Sequence, residues 1–119
     1  MTHGFDITIF HNSACGTSRN TLAAIRAAGH EPKVVEYLKA GWTAAQLKDL
    51  LRAMKAGPRD ILRVRGTPAE ELGLTKAGAT DETIVAAMVA HPILVERPIV
   101  VTPKGVVLAR PVEKVQPYL

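Results

Sequence analysis

Asp6-Ile7-Thr8-Ile9-Phe10-His11, the polar turn Asn12-Ser13-Ala14-Cys15-Gly16-Thr17-Ser18, a helical run over residues 18–28 and then Lys33-Val34-Val35-Glu36-Tyr37 form the stretch that decides the fold. In the first segment Ile7 and Ile9 alternate on one face among β-branched neighbours, which is the pattern of a strand. In the helical run Leu22 and Ile25 share one stripe, and Gly29 supplies a stop. The segment from Lys33 to Tyr37 reads as a second strand. The whole is a β-turn-α-β unit, whose second strand is predicted to run parallel to the first.

Beyond this unit the pattern turns helical. Thr43 and Gln46 have capping-box spacing, with Leu47, Leu50, Leu51 and Met54 following at helical intervals. Gly57-Pro58 ends that helix, and Pro58 can open a short one carrying Ile61 and Leu62. Thr67-Pro68-Ala69-Glu70 predicts a further helix that stops near Gly73. Thr80 caps another over residues 81–90, with Asp81 and Glu82 favoured in its first turn by the helix dipole. Its apolar stripe is Ile84, Val85, Met88 and Val89. Strand character returns in Pro98-Ile99-Val100-Val101-Thr102 and Val106-Val107-Leu108-Ala109, which flank a hairpin turn at Pro103-Lys104-Gly105. A short helical tail starts at Pro111. The fold class is therefore α/β, a thioredoxin-like mixed sheet with an all-helical insertion at about residues 43–90, within a single domain over residues 1–119.

Composition narrows the function classes. At 119 residues and 47% hydrophobic, the chain can bury roughly two thirds of its unfolded surface and needs no covalent staple. Cys15 is the single cysteine, which excludes an internal disulfide and Cys-rich metal sites. The four histidines are scattered, with no carboxylate cluster beside them, so no metal site is expected. No apolar run is long enough to span a bilayer. Residues 1–6 lack a basic and then apolar leader, so no signal peptide is expected and a reducing, cytoplasmic location is. Fifteen basic against eleven acidic residues leave a net charge of +4. That suits a small anionic substrate better than nucleic acid, since neither basic runs nor RNP-like aromatics occur.

A lone cysteine is usually a small buried hydrophobe. Cys15 instead lies between a strand and a helix, among Gly, Thr and Ser. Helix N-terminal amides there favour a thiolate, and Thr17 and Ser18 add hydroxyls. Cys15-Gly16-Thr17-Ser18 is a C-x-x-S pattern, with serine where a dithiol oxidoreductase has its second cysteine. Any redox turnover must therefore use an external thiol. The residue six after Cys15 is Thr21, so the C-x5-R loop of tyrosine phosphatases is disfavoured. His11 ends a strand beside the thiol. It is either a hydrogen-bonded structural residue or, the favoured reading, a positive partner that lowers the Cys15 pKa. His91 reads as a helix C-cap, and His3 and His30 as surface residues.

His11-Asn12-Ser13-Ala14-Cys15-Gly16-Thr17-Ser18-Arg19-Asn20-Thr21-Leu22 resembles the active-site motif of the glutathione/glutaredoxin-coupled arsenate reductases, the ArsC family. Glu70-Glu71-Leu72-Gly73-Leu74, the run from His91 through Glu96-Arg97-Pro98 to Val101, and Arg110-Pro111 resemble it too, in order along nearly the whole chain. The resemblance implies reduction of arsenate to arsenite with glutathione as external reductant, glutaredoxin as partner and no bound cofactor. It implies Cys15 as nucleophile, with His11 and Ser18 tuning it. Arg63, Arg97 and Arg110 would bind the oxyanion, and Arg97-Pro98 would be a cis-proline step. A monomer is expected. Ser13 departs from the family, many of whose members carry proline there; the turn before Cys15 is expected to loosen.

The physics suits these roles. Arsenate, like phosphate, should carry roughly 1.5 to 2 negative charges near pH 7. A thiolate about 4 Å from one such charge is repelled by about 4 kcal/mol at an effective dielectric of about 20. Arginines offset this and grip oxyanions through paired hydrogen bonds. Two alternatives remain on the same fold. One is another glutathione-dependent thiol reductase; the other is an Spx-type regulator that binds RNA polymerase. A small interaction module with a decayed site is a third reading.

Overall fold

The computed structural model describes residues 6–119. Residues 1–5 of the segment read for a leader, and with them the His3 assignment, lie outside the described residues. The chain divides into two compact units, one running up to Ala40 and resuming from Arg97 to Leu119, the other covering Gly41–Glu96.

The first unit is built on a four-stranded sheet in the order β2-β1-β3-β4. Strand β1 is Thr8–His11 and β2 is Lys33–Glu36; strands β3, Ile99–Thr102, and β4, Gly105–Leu108, follow late in the chain. β1 pairs with β2 in parallel, as the β-turn-α-β reading required, and with β3 antiparallel. Register places Ile9 opposite Val100, and Val100 opposite Val107. That row forms one apolar face. Helix α1, Gly16–Ala27, covers it with Ile25 and Leu22, and the 3-10 helix Val112–Tyr118 adds Val115 and Tyr118. Ile9, Ile25, Val100 and Val115 are all fully buried, so α1 is held to the sheet through its own stripe. Thr102 pairs with Gly105, which leaves Pro103-Lys104 as a two-residue hairpin turn. Gly105 has φ +142°, and a Cβ there would lie 3.1 Å from the Tyr118 ring. Both Arg97-Pro98 and Arg110-Pro111 are cis.

Strand β2 ends one residue earlier than expected. Tyr37 opens a short helix, α2, Tyr37–Ala40, and is fully buried. Tertiary burial of that ring outweighs its strand propensity. His30 is half-buried rather than a surface residue, with its Nδ1 shielded from solvent.

The second unit is helical. Helix α3, Ala44–Met54, buries Leu47, Leu50 and Leu51, and the Thr43 side chain accepts the Gln46 amide at 3.0 Å. Helix α4, Asp81–Ala90, buries Ile84, Val85 and Met88 and is capped by Thr80, whose hydroxyl accepts the Thr83 amide at 3.2 Å. Val89, expected in that stripe, is exposed. His91 is the C-cap of α4. The helix expected from Thr67 is only a turn: Leu72 donates to the Pro68 carbonyl, and Gly73 closes on Glu70. Thr67 bonds back to the Arg63 carbonyl at 2.7 Å while accepting the Ala69 amide, so its capping chemistry is used without helix propagation. Arg59 organises the irregular chain that follows, donating to the carbonyls of Lys76 at 2.8 Å and Ala79 at 2.7 Å.

Candidate active site

The turn between β1 and α1 is closed by its own backbone. The Cys15 amide donates to the Asn12 carbonyl at 3.0 Å, and the Ala14 amide donates to Asn12 Oδ1 at 3.0 Å. Local bonding by an Asn side chain is what favours Asn in such turns. Cys15 then stands at the N-cap of α1 with extended backbone, at φ −95° and ψ 123°. Its thiol is free and partly buried. Position and reactivity therefore have one cause: the residue that ends the turn also begins the helix.

Two arginines of the same unit reach this sulfur from the β3–β4 hairpin. Arg97 immediately precedes Pro98 and β3; Arg110 lies two residues beyond β4. Arg110 Nη1 is 3.8 Å from Cys15 Sγ and donates to the Arg97 carbonyl at 2.9 Å. The second bond fixes the guanidinium where the first needs it. Nε and Nη1 of Arg97 are buried with no hydrogen-bond partner. Unmet donors on a buried guanidinium are costly, and a bound oxyanion would satisfy them.

Burial pushes the Cys15 thiol up, but the Ser18 backbone amide, the Arg97 and Arg110 side chains and the charge of Arg97 outweigh it, and the pKa falls to about 7. The sulfur closes no regular N-cap hydrogen bond, yet the Ser18 amide still favours its anion. At that pKa roughly half the cysteine is thiolate at pH 7, against a few per cent for a free thiol.

His11 and Ser18 form a buried pair beneath the turn. Ser18 Oγ lies 2.6 Å from His11 Nδ1 and accepts the Asn12 amide at 3.1 Å. The favoured reading of a positively charged His11 is corrected here. Burial lowers its pKa; Glu36 opposes this, while Arg19 and Arg26 reinforce it. The balance favours the neutral imidazole. A neutral ring protonated at Nε2 suits the geometry, because the Ser18 hydroxyl can donate to Nδ1 while its lone pair takes the Asn12 amide.

Arg63 belongs to the second unit, where an ion pair not foreseen from the sequence holds it. Its Nη1 is 2.9 Å from Glu96 Oε1, with side-chain exposures of 17% and 23%. The Arg63 amide donates to the Leu94 carbonyl, and the Glu96 amide to the Ile61 carbonyl, each at 2.8 Å. Sequence reasoning also passed over Asn12, Glu36 and Arg19. Asn12 had a usable signal, an Asn opening a strand-to-helix turn. Glu36 and Arg19 had none, because their contacts depend on strand register and helix direction. Among the described residues, no group of three or more His, Cys, Asp or Glu is placed to hold a metal ion.

An activated solitary thiol with arginines around it is a general device, and comparison with known proteins narrows it. Residues 10–117 match the ArsC family. The chain belongs to the ArsC family. It is 55% identical to an arsenate reductase of Synechocystis sp. over 109 residues, which is 92% of this chain and 78% of the relative. It is 49% identical to the arsenate reductase of Escherichia coli over 110 residues, with the same coverage of both chains. Among solved structures, an arsenate reductase from Vibrio cholerae superposes with a TM-score of 0.92 at 34% identity, covering 98% of this chain and all of that one. The α/β, thioredoxin-like class expected of an ArsC-family chain is the fold observed. No helix among the described residues is long and apolar enough to cross a membrane.

Proposed function

We propose that this ArsC-family chain is an arsenate reductase that forms arsenite through a thiol–arsenate adduct on Cys15. The observation that carries this reading is the sulfur itself, 3.8 Å from Arg110 Nη1 and next to an Arg97 whose buried donors are unmet. Arsenate binds to Arg97 and Arg110, and the resemblance adds Arg63. The Cys15 thiolate attacks arsenic and one arsenate oxygen leaves as water. An S–As bond has formed and arsenic is still at +5. The thiolate of glutathione then attacks the Cys15 sulfur. The electron pair of the S–As bond stays on arsenic, which leaves as arsenite at +3. A Cys15–glutathione disulfide remains, and glutaredoxin removes the glutathione. Cys15 has no second cysteine in the chain, so the reducing thiols must come from outside. Thiol-disulfide exchange also favours a low-pKa sulfur as leaving group. His11 and Ser18 support the turn that carries the sulfur. No bound cofactor takes part, and the enzyme works as a monomer in the glutathione-rich cytoplasm.

The test is arsenate-dependent NADPH oxidation in the presence of glutathione, glutathione reductase and glutaredoxin. Each component is omitted in turn. Turnover should need all of them and should vanish in Cys15→Ser while the fold, followed by circular dichroism, survives. Wild-type turnover in that variant refutes the reading. So does efficient reduction of mixed disulfides with no arsenate turnover, which favours a general thiol reductase.

A further inference from the structure

Ser13 sits at the second position of the β-turn that Cys15 closes, with the Cys15 amide bonded to the Asn12 carbonyl. Proline is favoured at this position because it fixes the backbone there. Ser13 has no such restriction, and among the described residues no hydrogen bond uses its amide. Two side chains from different elements hold it instead. Its hydroxyl donates to Glu36 Oε1 at 3.2 Å, and its carbonyl accepts from Arg19 Nη1 at 2.9 Å. Glu36 ends β2 and lies directly opposite His11 in the parallel register. Arg19 projects from the first turn of α1. Glu36 is itself steadied by Lys39, 3.6 Å away.

We infer that Glu36 and Arg19 are positioning residues for Cys15, gripping the tip of its turn from the β2 and α1 sides so that the sulfur stays beside Arg110. Without the grip, Ser13 gains backbone freedom and the two residues between it and the helix start move with it. The contact between Sγ and Arg110 spans 3.8 Å, so small displacements of the sulfur change how well the guanidinium stabilises it. Arg97 and Arg110 are the charged groups facing that sulfur. The expected loosening at Ser13 is thus countered by side-chain chemistry.

This inference rests on Cys15 as the reacting thiol, and its test reads alkylation as well as arsenate turnover. Ser13→Ala removes the grip of Glu36 without changing charge. It should move the midpoint of the pH profile for iodoacetamide alkylation of Cys15 upward and lower kcat/KM for arsenate by about threefold, the loss of one exposed hydrogen bond. Glu36→Ala should lower kcat/KM by a similar factor. Ser13→Pro supplies the rigidity covalently and costs no hydrogen bond at the amide, so it should keep wild-type kcat/KM. In that background Glu36→Ala should have no further effect, a coupling read directly by the double-mutant cycle. An unchanged alkylation profile in Ser13→Ala overturns the inference, as does a Glu36→Ala defect that persists beside Ser13→Pro. If the wild-type chain turns over no arsenate, the function fails, and the alkylation arm still decides the positioning role.

Discussion

At the scale of single residues, the Cys15 sulfur is drawn one way by burial and the other by donors. Its pKa of about 7 makes alkylation by iodoacetamide rise steeply across neutrality, and Arg110→Ala should shift that rise toward the ordinary thiol range near pH 8.5. The same shift bears on folding. Between about pH 7 and roughly 8.5 the folded chain holds fewer protons on Cys15 than the unfolded chain does, so stability rises with pH across that window. The contribution is complete above the unfolded pKa and is lost as pH falls through the folded one. Urea midpoints measured through this range should rise for the wild type, and the rise should be smaller in Cys15→Ser. Ser18 offers a second residue-scale test. Its fully buried hydroxyl serves both His11 Nδ1 and the Asn12 amide, so Ser18→Ala leaves two buried polar groups unmet. We expect a loss of about 1–3 kcal/mol in denaturant unfolding, with the His11 imidazole shifts in NMR reporting the lost partner.

At the scale of elements, α1 carries the nucleophile at one end and is anchored through Ile25, which packs fully buried against Ile9 and Val100. Ile25→Ala should cost about 2–5 kcal/mol by removing packing and leaving a cavity, measurable as a lower urea midpoint. In α4 the Thr80 cap is exposed and local, so Thr80→Ala should cost only about 1 kcal/mol. These elements were legible because their signals lie within a few residues: the Ile7–Ile9 alternation, the Thr80 cap, the Leu47–Leu51 stripe. The expected helix at Thr67 carried an equally good local signal and is only a turn. Its hydroxyl bonds back to the Arg63 carbonyl four residues earlier, a local contact that the capping-box spacing does not register and that ties the side chain to the preceding turn rather than to a helix ahead. Tyr37 left its strand for a different, tertiary reason: its ring is fully buried, and that burial is not written in the residues beside it.

At the scale of the whole molecule, the chain carries a net charge of +4, and Arg97 and Arg110 set positive charge beside the thiol. Such a field raises the local concentration of anions and weakens as salt screens it. Iodoacetate, which is anionic, should therefore gain several-fold on neutral iodoacetamide in alkylating Cys15 at low ionic strength, and the advantage should shrink by 0.5 M salt. A ratio independent of salt would contradict this picture. The two arginines arrive from a hairpin more than eighty residues after the cysteine, and their placement depends on β3 pairing with β1.

The sequence by itself determined the β-turn-α-β opening, the placing of Cys15 between strand and helix, the lack of a second thiol and the family pattern of arginines. All of these are short-range or compositional facts. Only the tertiary structure decided that Arg110 lies against the sulfur, that Arg97 has unmet buried donors, that burial pushes His11 toward its neutral form and that Arg63 is paired with Glu96. Each depends on what the folded chain brings near a group and how much water it removes, and neither quantity is encoded in the spacing of residues along the chain.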